Sequence, residues 1–213
     1  MFHRVLPGYS DSKSGQTGDY QMKIGYYSLD EYEKLVKSFH GSLAPGLLIG
    51  GFMVDLAQKN LPQGEFFDTI CETSSCLPDA VQLLTPCSTG NGWMKVIDFG
   101  RFAISFYEKK TGEGIRVFLD LDKLKNCSEV YSWFMKLKPK REQDSNLLMN
   151  QIKEAGAEIL SIRKIRIDPA LFEKKKGGAS AVCPVCKEAY PAGHGDKCRN
   201  CAGESPYLEV AEM

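Results

Sequence analysis

The first clear pattern of apolar and polar positions predicts a helix that begins after Ser28. Ser28 and Glu31 have the spacing of a capping box, in which each side chain accepts a hydrogen bond from the other residue's backbone N–H. An apolar stripe at helical spacing follows, made of Tyr32, Leu35, Val36 and Phe39. Gly41 is suited to end the helix, because glycine adopts the left-handed conformation at low cost. The weakly periodic residues 1–27 predict an extended arm before it.

A second helix is predicted from Pro45 to about Asn60, where Pro62 prevents continuation. It is apolar on most faces, so we expect it to be buried. Gly50 and Gly51 lie in its middle, and each costs about 1 kcal/mol relative to alanine. That cost suggests that another backbone approaches the helix closely there.

Alternating apolar and polar positions then predict a sheet. Strands are expected at 67–74, 93–97, 101–107, 115–119 and 158–167, and helices at 80–84, 121–137 and 143–155. Asp98-Phe99-Gly100 has the composition of a hairpin turn between the second and third strands. The order of elements predicts an α+β fold, with helices packed on an antiparallel sheet.

The C-terminal part contains the strongest chemical signal. Cys183 and Cys186, and Cys198 and Cys201, form two C-x2-C pairs with eleven residues between them. Zinc favours four tetrahedral thiolates, and two such knuckles facing each other would make a small zinc ribbon. Two disulfides or four unpaired thiols are the alternative. A closed four-sulfur site leaves no position open for a substrate, so this zinc would be structural.

Composition narrows the class of protein. Lys plus Arg equals Asp plus Glu at 27 each, so the chain has no overall attraction for nucleic acid or anionic membranes. No apolar run is long enough to cross a bilayer, and no signal peptide is recognisable at the start. We therefore expect a cytoplasmic protein. The predicted organisation is a core domain at 1–170, a linker at 171–179 and the zinc ribbon at 180–213.

Five residues of the core domain are candidates for a second site: His40, Cys76, Asp79, Gln82 and Cys87. His40 ends one predicted helix, and Cys76 and Asp79 begin another, where the helix dipole favours a thiolate or a carboxylate. Together a histidine and two cysteines would suit a soft metal. The alternatives are a histidine that stabilises a helix end, small buried cysteines and an exposed helical glutamine.

Three segments resemble the FmdE family, which is named after a component of formylmethanofuran dehydrogenase. They are FHGSLAPGLLIG, CLPDAVQLLTPCSTGNG and DFGRFAISFYEKKTGEGIRV, and the likeness covers about residues 30–120. The resemblance implies an α+β core that forms intertwined homodimers, with a C-terminal zinc ribbon in some members. The enzyme that gives the family its name reduces carbon dioxide onto methanofuran at a molybdenum or tungsten pterin.

The resemblance also assigns motif positions. It matches His40, Cys76, Asp79, Gln82 and Cys87 to the family's motif residues. However, Ser42 and Ala44 stand where the family's opening motif has a histidine and a cysteine. Two potential soft ligands are missing, which weakens the case for a second metal in the core but not the expectation of the fold and the dimer.

Three hypotheses for function follow. The first is a dimeric accessory or ligand-binding protein, whose zinc ribbon contacts a partner or the other subunit. The second is an enzyme that uses Cys76 or Cys87 as a nucleophile and His40 as a base. The third is a nucleic-acid regulator, but residues 180–213 carry three Lys or Arg against five Asp or Glu. A phosphate-binding module should be basic, which counts against the third hypothesis. No established nucleophile motif surrounds either cysteine, which counts against the second, so we favour the accessory protein.

Overall fold

The computed structural model describes residues 22–62, 67–168, 170 and 178–207. Positions of Cα atoms divide the chain into two compact units, residues 1–167 and 168–213. The linker predicted at 171–179 lies largely outside the described residues, as do residues 1–21 of the predicted arm. Within the described parts of the chain, no helix is both long and apolar enough to cross a membrane.

The helices of the first unit begin and end largely where their sequence signals indicate. They are α1 (Leu29–His40), α2 (Pro45–Asn60), α3 (Leu77–Leu84), α4 (Leu121–Leu124), α5 (Ser128–Phe134) and α6 (Ser145–Ala155). Ser28 and Glu31 form the predicted capping box, and Gly41 ends α1 with a φ of 85°. The single helix predicted at 121–137 is wrong. Gln151 of α6 accepts hydrogen bonds from the backbone N–H groups of Glu129 and Val130, which caps a new helix start inside that range.

The sheet of this unit has five strands in the order β4-β3-β5-β6-β7. Their bounds are β3 (Phe67–Cys71), β4 (Met94–Val96), β5 (Ala103–Glu108), β6 (Glu113–Leu119) and β7 (Leu160–Arg166). A short hairpin of β1 (Lys23–Ile24) and β2 (Tyr27–Ser28) precedes α1. All pairings in the five-stranded sheet are antiparallel except that of β3 with β4. The mixed α+β fold with a mostly antiparallel sheet is therefore confirmed.

The hairpin predicted at Asp98-Phe99-Gly100 is wrong, because β3 lies between β4 and β5. Residues 98–101 do form a turn, but its hydrogen bonds are made to the residues that follow β3. Asp98 accepts hydrogen bonds from the side chain of Ser74 and the backbone N–H of Gly100. The backbone carbonyl of Glu72 accepts from the N–H groups of Phe99 and Arg101.

Helix α2 is the centre of the core unit. It packs against α1, α3, α6 and the sheet, and eleven of its residues are buried. Its glycines face side chains, so the backbone approach predicted from them is wrong in detail. A Cβ on Gly50 would lie 2.8 Å from the Cβ of Ala80, and one on Gly51 would lie 2.6 Å from the ring of Tyr32. Only glycine leaves room for α3 and for that ring.

An ion-pair network joins the end of β3 to β6. Glu72 is 5% exposed and receives two hydrogen bonds from Arg116, at 2.7 and 2.8 Å, and an ion pair from Arg101 at 2.8 Å. Register places Arg116 opposite Ser105 of β5, so the pair with Glu72 crosses over β5. Ala103 and Ser105 of that strand are small, which leaves space for this crossing.

The network makes stability depend on pH. Burial raises the pKa of the Glu72 carboxyl, but the hydrogen bonds and charges of Arg116 and Arg101 outweigh it, so the pKa lies below the ordinary 4.5. A carboxyl whose pKa is lowered by folding stabilises the folded protein at pH values above its pKa in the unfolded chain. That contribution to stability is lost as the pH falls through the lower pKa that the carboxyl has in the folded protein.

We therefore expect Glu72→Gln to lower the free energy of unfolding at pH 7 by about 1–3 kcal/mol, because Arg116 loses its anionic partner. Below pH 4.5 the difference from wild type should shrink. Urea titrations followed by tryptophan fluorescence measure both effects. Glu154→Gln, which changes an exposed carboxylate on α6, is the control. A difference that stays constant from pH 7 to pH 3 would contradict this account.

Candidate functional site

The second unit brings the four predicted cysteine ligands to one point. The sulfur atoms of Cys183, Cys186, Cys198 and Cys201 all lie within 4.8 Å of one another. The sulfur atoms of Cys186 and Cys198 are 3.8 Å apart. Zn–S bonds of about 2.3 Å in a tetrahedron place sulfur atoms roughly 3.8 Å apart, so the cluster fits a zinc ion.

A short hairpin forms the first half of this cluster. It consists of β8 (Ser180–Val182) and β9 (Ala189–Pro191), with the first cysteine pair in the turn between them. The N–H of Lys187 donates to the carbonyl of Cys183 at 3.0 Å, and the N–H of Cys183 donates to the carbonyl of Glu188 at 2.8 Å. These hydrogen bonds close a tight turn, and the sulfur atoms of Cys183 and Cys186 both lie at the four-sulfur cluster.

The second cysteine pair is built differently. Cys201 lies in a helical turn, Asn200–Glu204, and its N–H donates to the sulfur of Cys198 at 3.5 Å. Cys198 lies just before this turn, and its carbonyl accepts from the N–H of Ala202 at 2.9 Å, so the start of the turn holds the two sulfur atoms together. The C-x2-C spacing fits both geometries, which is why two facing knuckles could be expected from it. The small zinc domain is present, but its second half is helical.

The cluster favours a thiolate before any metal is considered. Backbone N–H groups, above all that of Cys186, lower the pKa of the Cys183 thiol to about 6. Hydrogen bonding to Cys198 raises the pKa of Cys201, because four thiols cannot all carry charge at this distance. A divalent cation removes that conflict, since a coordinating thiol is deprotonated outright.

In the core unit the structure brings His40 and Asp79 together. The Nδ1 atom of His40, at the end of α1, lies 2.7 Å from Oδ2 of Asp79, in the first turn of α3. Their side chains are 31% and 30% exposed. Sequence reasoning placed each residue at a helix end but did not pair them, because 39 positions separate them and no local signal connects two helix ends.

Cys76 immediately precedes α3 and has a strained backbone. Its φ of 58° and ψ of −47° are unusual for a residue with a side chain. Its thiol packs over Gly46, where a Cβ would lie 3.0 Å from both Cβ and Sγ of Cys76. Burial, and then the charge of Asp79, raise the pKa of this thiol. Cys76 is therefore held as a neutral thiol.

Cys76 and Cys87 do not form a convergent group of metal ligands with this pair among the described residues. Cys87 is 3% exposed, its sulfur donates to the carbonyl of Phe67 at 3.2 Å, and burial raises its pKa. Gln82 lies half-buried on α3, and Ser42 is exposed in the loop after α1. Of the residues that the structure describes, only the four cysteines of the second unit form a group of three or more convergent metal ligands. The geometry of the described core residues therefore does not support a second metal.

Two family models match the chain. The model described as FmdE, molybdenum formylmethanofuran dehydrogenase operon, matches residues 39–167. The model described as FmdE treble clef zinc finger matches residues 174–208. This match agrees with the expected small C-terminal zinc domain and its four-cysteine cluster.

The chain is also similar to two known proteins. A crystal structure of a tungsten formylmethanofuran dehydrogenase FmdE-like protein from Syntrophus aciditrophicus matches with a TM-score of 0.81 and 53% identity, over 88% of this chain and 100% of that one. A probable S-adenosyl-L-methionine-binding protein from Archaeoglobus fulgidus is 27% identical over 193 residues, which cover 78% of this chain. The chain spans about half the length of that relative, 51%.

We expect the protein to contain one zinc ion per chain and to lose it in Cys183→Ser, since removing one of four sulfur ligands opens the site. Elemental analysis of protein purified without chelator measures this. Cys127→Ser, which changes a half-buried thiol of the core unit, should keep its zinc. A full equivalent of metal in Cys183→Ser would place the ion elsewhere and contradict the assignment.

Proposed function

The chain belongs to the FmdE family, and on that premise we propose that it is a homodimeric accessory protein that binds a small ligand in its core unit. Its treble clef module holds a structural zinc. The observation that carries the proposal is that the convergent metal ligands of the described residues are four cysteines. A four-sulfur site has no open coordination position, which favours a scaffolding metal over a catalytic one.

The thiols of the core favour binding over covalent chemistry. A nucleophilic cysteine needs a thiolate, which usually means a lowered pKa. Burial instead raises the pKa of Cys76 and Cys87, and raises that of Cys71 to about 12. This supports the ligand-binding hypothesis over that of an enzyme with a cysteine nucleophile.

Apolar side chains that are exposed on a single copy of the core unit support the proposed homodimer. Phe39, Phe99 and Leu137 are 55%, 57% and 62% exposed. We propose that they belong to one patch, because contiguous exposed apolar surface marks a site that a partner covers. The treble clef module also exposes Val182 and Val185, at 66% and 64%, which suits contact with a protein partner.

Light scattering coupled to size-exclusion chromatography tests the dimer. We expect a mass twice the 23.7 kDa of one chain, because burying these apolar side chains favours association. Phe99→Ser should shift the protein toward the monomer if Phe99 is covered in the dimer. Tyr26→Ser, which changes another exposed aromatic, is the comparison that shows whether the effect is local. A wild-type mass of one chain at all concentrations would refute the dimer.

The Archaeoglobus relative supplies a first ligand to test, because its name describes S-adenosyl-L-methionine binding. We expect equilibrium dialysis to show saturable binding of S-adenosyl-L-methionine to the zinc-loaded protein. His40→Ala should weaken it about tenfold, the effect of losing one good hydrogen bond. His194→Ala, in the other unit, should leave it unchanged. Absence of saturable binding would reject this ligand, and equal affinity in both variants would place it away from His40.

A further inference from the structure

Where α1 contacts α3, the side chain of His40 lies against that of Asp79. The Nδ1 atom of its ring lies 2.7 Å from Oδ2 of Asp79, a hydrogen-bond distance. Both partners are on helices, at the last residue of α1 and in the first turn of α3. Each side chain is about one-third exposed, so a ligand in solvent can reach the pair.

This contact determines which ring nitrogen carries the proton. An ionised carboxylate has only acceptor atoms, so the nitrogen facing it must be the one that bears hydrogen. In the neutral ring, Nδ1–H therefore donates to Asp79, and the lone pair lies on Nε2. A partner at one nitrogen sets both the tautomer and the ring orientation, as in histidines that act as ligands or bases.

The residues around His40 favour Nε2 as a hydrogen-bond acceptor over Nε2 as a metal ligand. Asp79 already gives Oδ2 to His40. Cys76 is three positions before Asp79, but its sulfur does not join these two residues in a convergent group of metal ligands within the described chain. Burial also keeps the thiol of Cys76 protonated, because it raises the pKa. Nε2 of His40 is then a preoriented hydrogen-bond acceptor.

We propose that Asp79 is a positioning residue that holds His40 in the Nδ1–H tautomer, so that the core site selects ligands presenting an N–H or O–H donor to Nε2. This inference rests on the proposed ligand-binding function. It specifies the chemistry of that site: a ligand with an acceptor at this point would meet the Nε2 lone pair and be disfavoured. The step is hydrogen bonding alone, and no covalent bond is formed or broken.

Long-range ¹H–¹⁵N correlation spectra of the full-length, zinc-loaded protein labelled in histidine test the proposal without any ligand. In spectra recorded with the ring in its neutral form, His40 should show the pattern of a protonated Nδ1 and an unprotonated Nε2. Asp79→Ala should shift His40 to the ordinary mixture of tautomers. His194 of the other unit serves as an internal reference whose pattern should not change.

Asp30→Ala is the matched control, because it also removes an acidic residue from the first turn of a helix but lies at the opposite end of α1 from His40. It should leave the His40 pattern unchanged. A protonated Nε2 in wild type, or the same His40 pattern in Asp79→Ala, overturns the proposal. Since the spectra use free protein, failure of S-adenosyl-L-methionine binding would not affect this result, and the two failures remain distinguishable.

Discussion

Close packing on helix α2 is the constraint on which the core unit depends. Gly46 and Gly50 are one helical turn apart and both face α3 or the residue before it. Gly51 faces the ring of Tyr32, whose hydroxyl donates to the carbonyl of Leu47 in α2 at 2.9 Å. Because these glycines carry no side chain, α1 and α3 both approach α2 closely. The helix tolerates their unfavourable propensity since buried packing stabilises it instead.

The candidate site is a consequence of that packing. With α1 and α3 both seated on α2, the end of one helix lies beside the beginning of the other, and His40 meets Asp79. The positive φ of Cys76 belongs to the same junction, where the chain turns sharply into α3 over Gly46. The surrounding packing thus holds the strained backbone of Cys76 in place. This strained residue is close in sequence to Asp79, which contacts His40.

Features that depend on neighbouring residues could be predicted from the sequence, and those that depend on distant ones could not. The capping box at Ser28, the bounds of α2 and the cysteine spacing are local, and each was predicted. The parallel pairing of β3 with β4 requires the crossover through α3, and Asp98 only resembles a hairpin residue. The pairing of Glu72 with Arg116 joins positions 44 apart, and no periodic pattern in the sequence indicates it.

The cysteines of the two units have different surroundings, and this separates their roles. In the treble clef module, backbone N–H groups lower the pKa of Cys183, while hydrogen bonding to Cys198 raises the pKa of Cys201, so without a metal one thiol is more ready than another to carry charge. In the core unit, burial raises the pKa of Cys71, Cys76 and Cys87, so sulfur stays neutral. Polar chemistry at the candidate site then falls to His40 and Asp79, whose ring nitrogen and carboxylate oxygen lie at hydrogen-bond distance. A scaffold metal and a hydrogen-bonding site are therefore consistent with one protein, because each unit sets the charge state of its own cysteines.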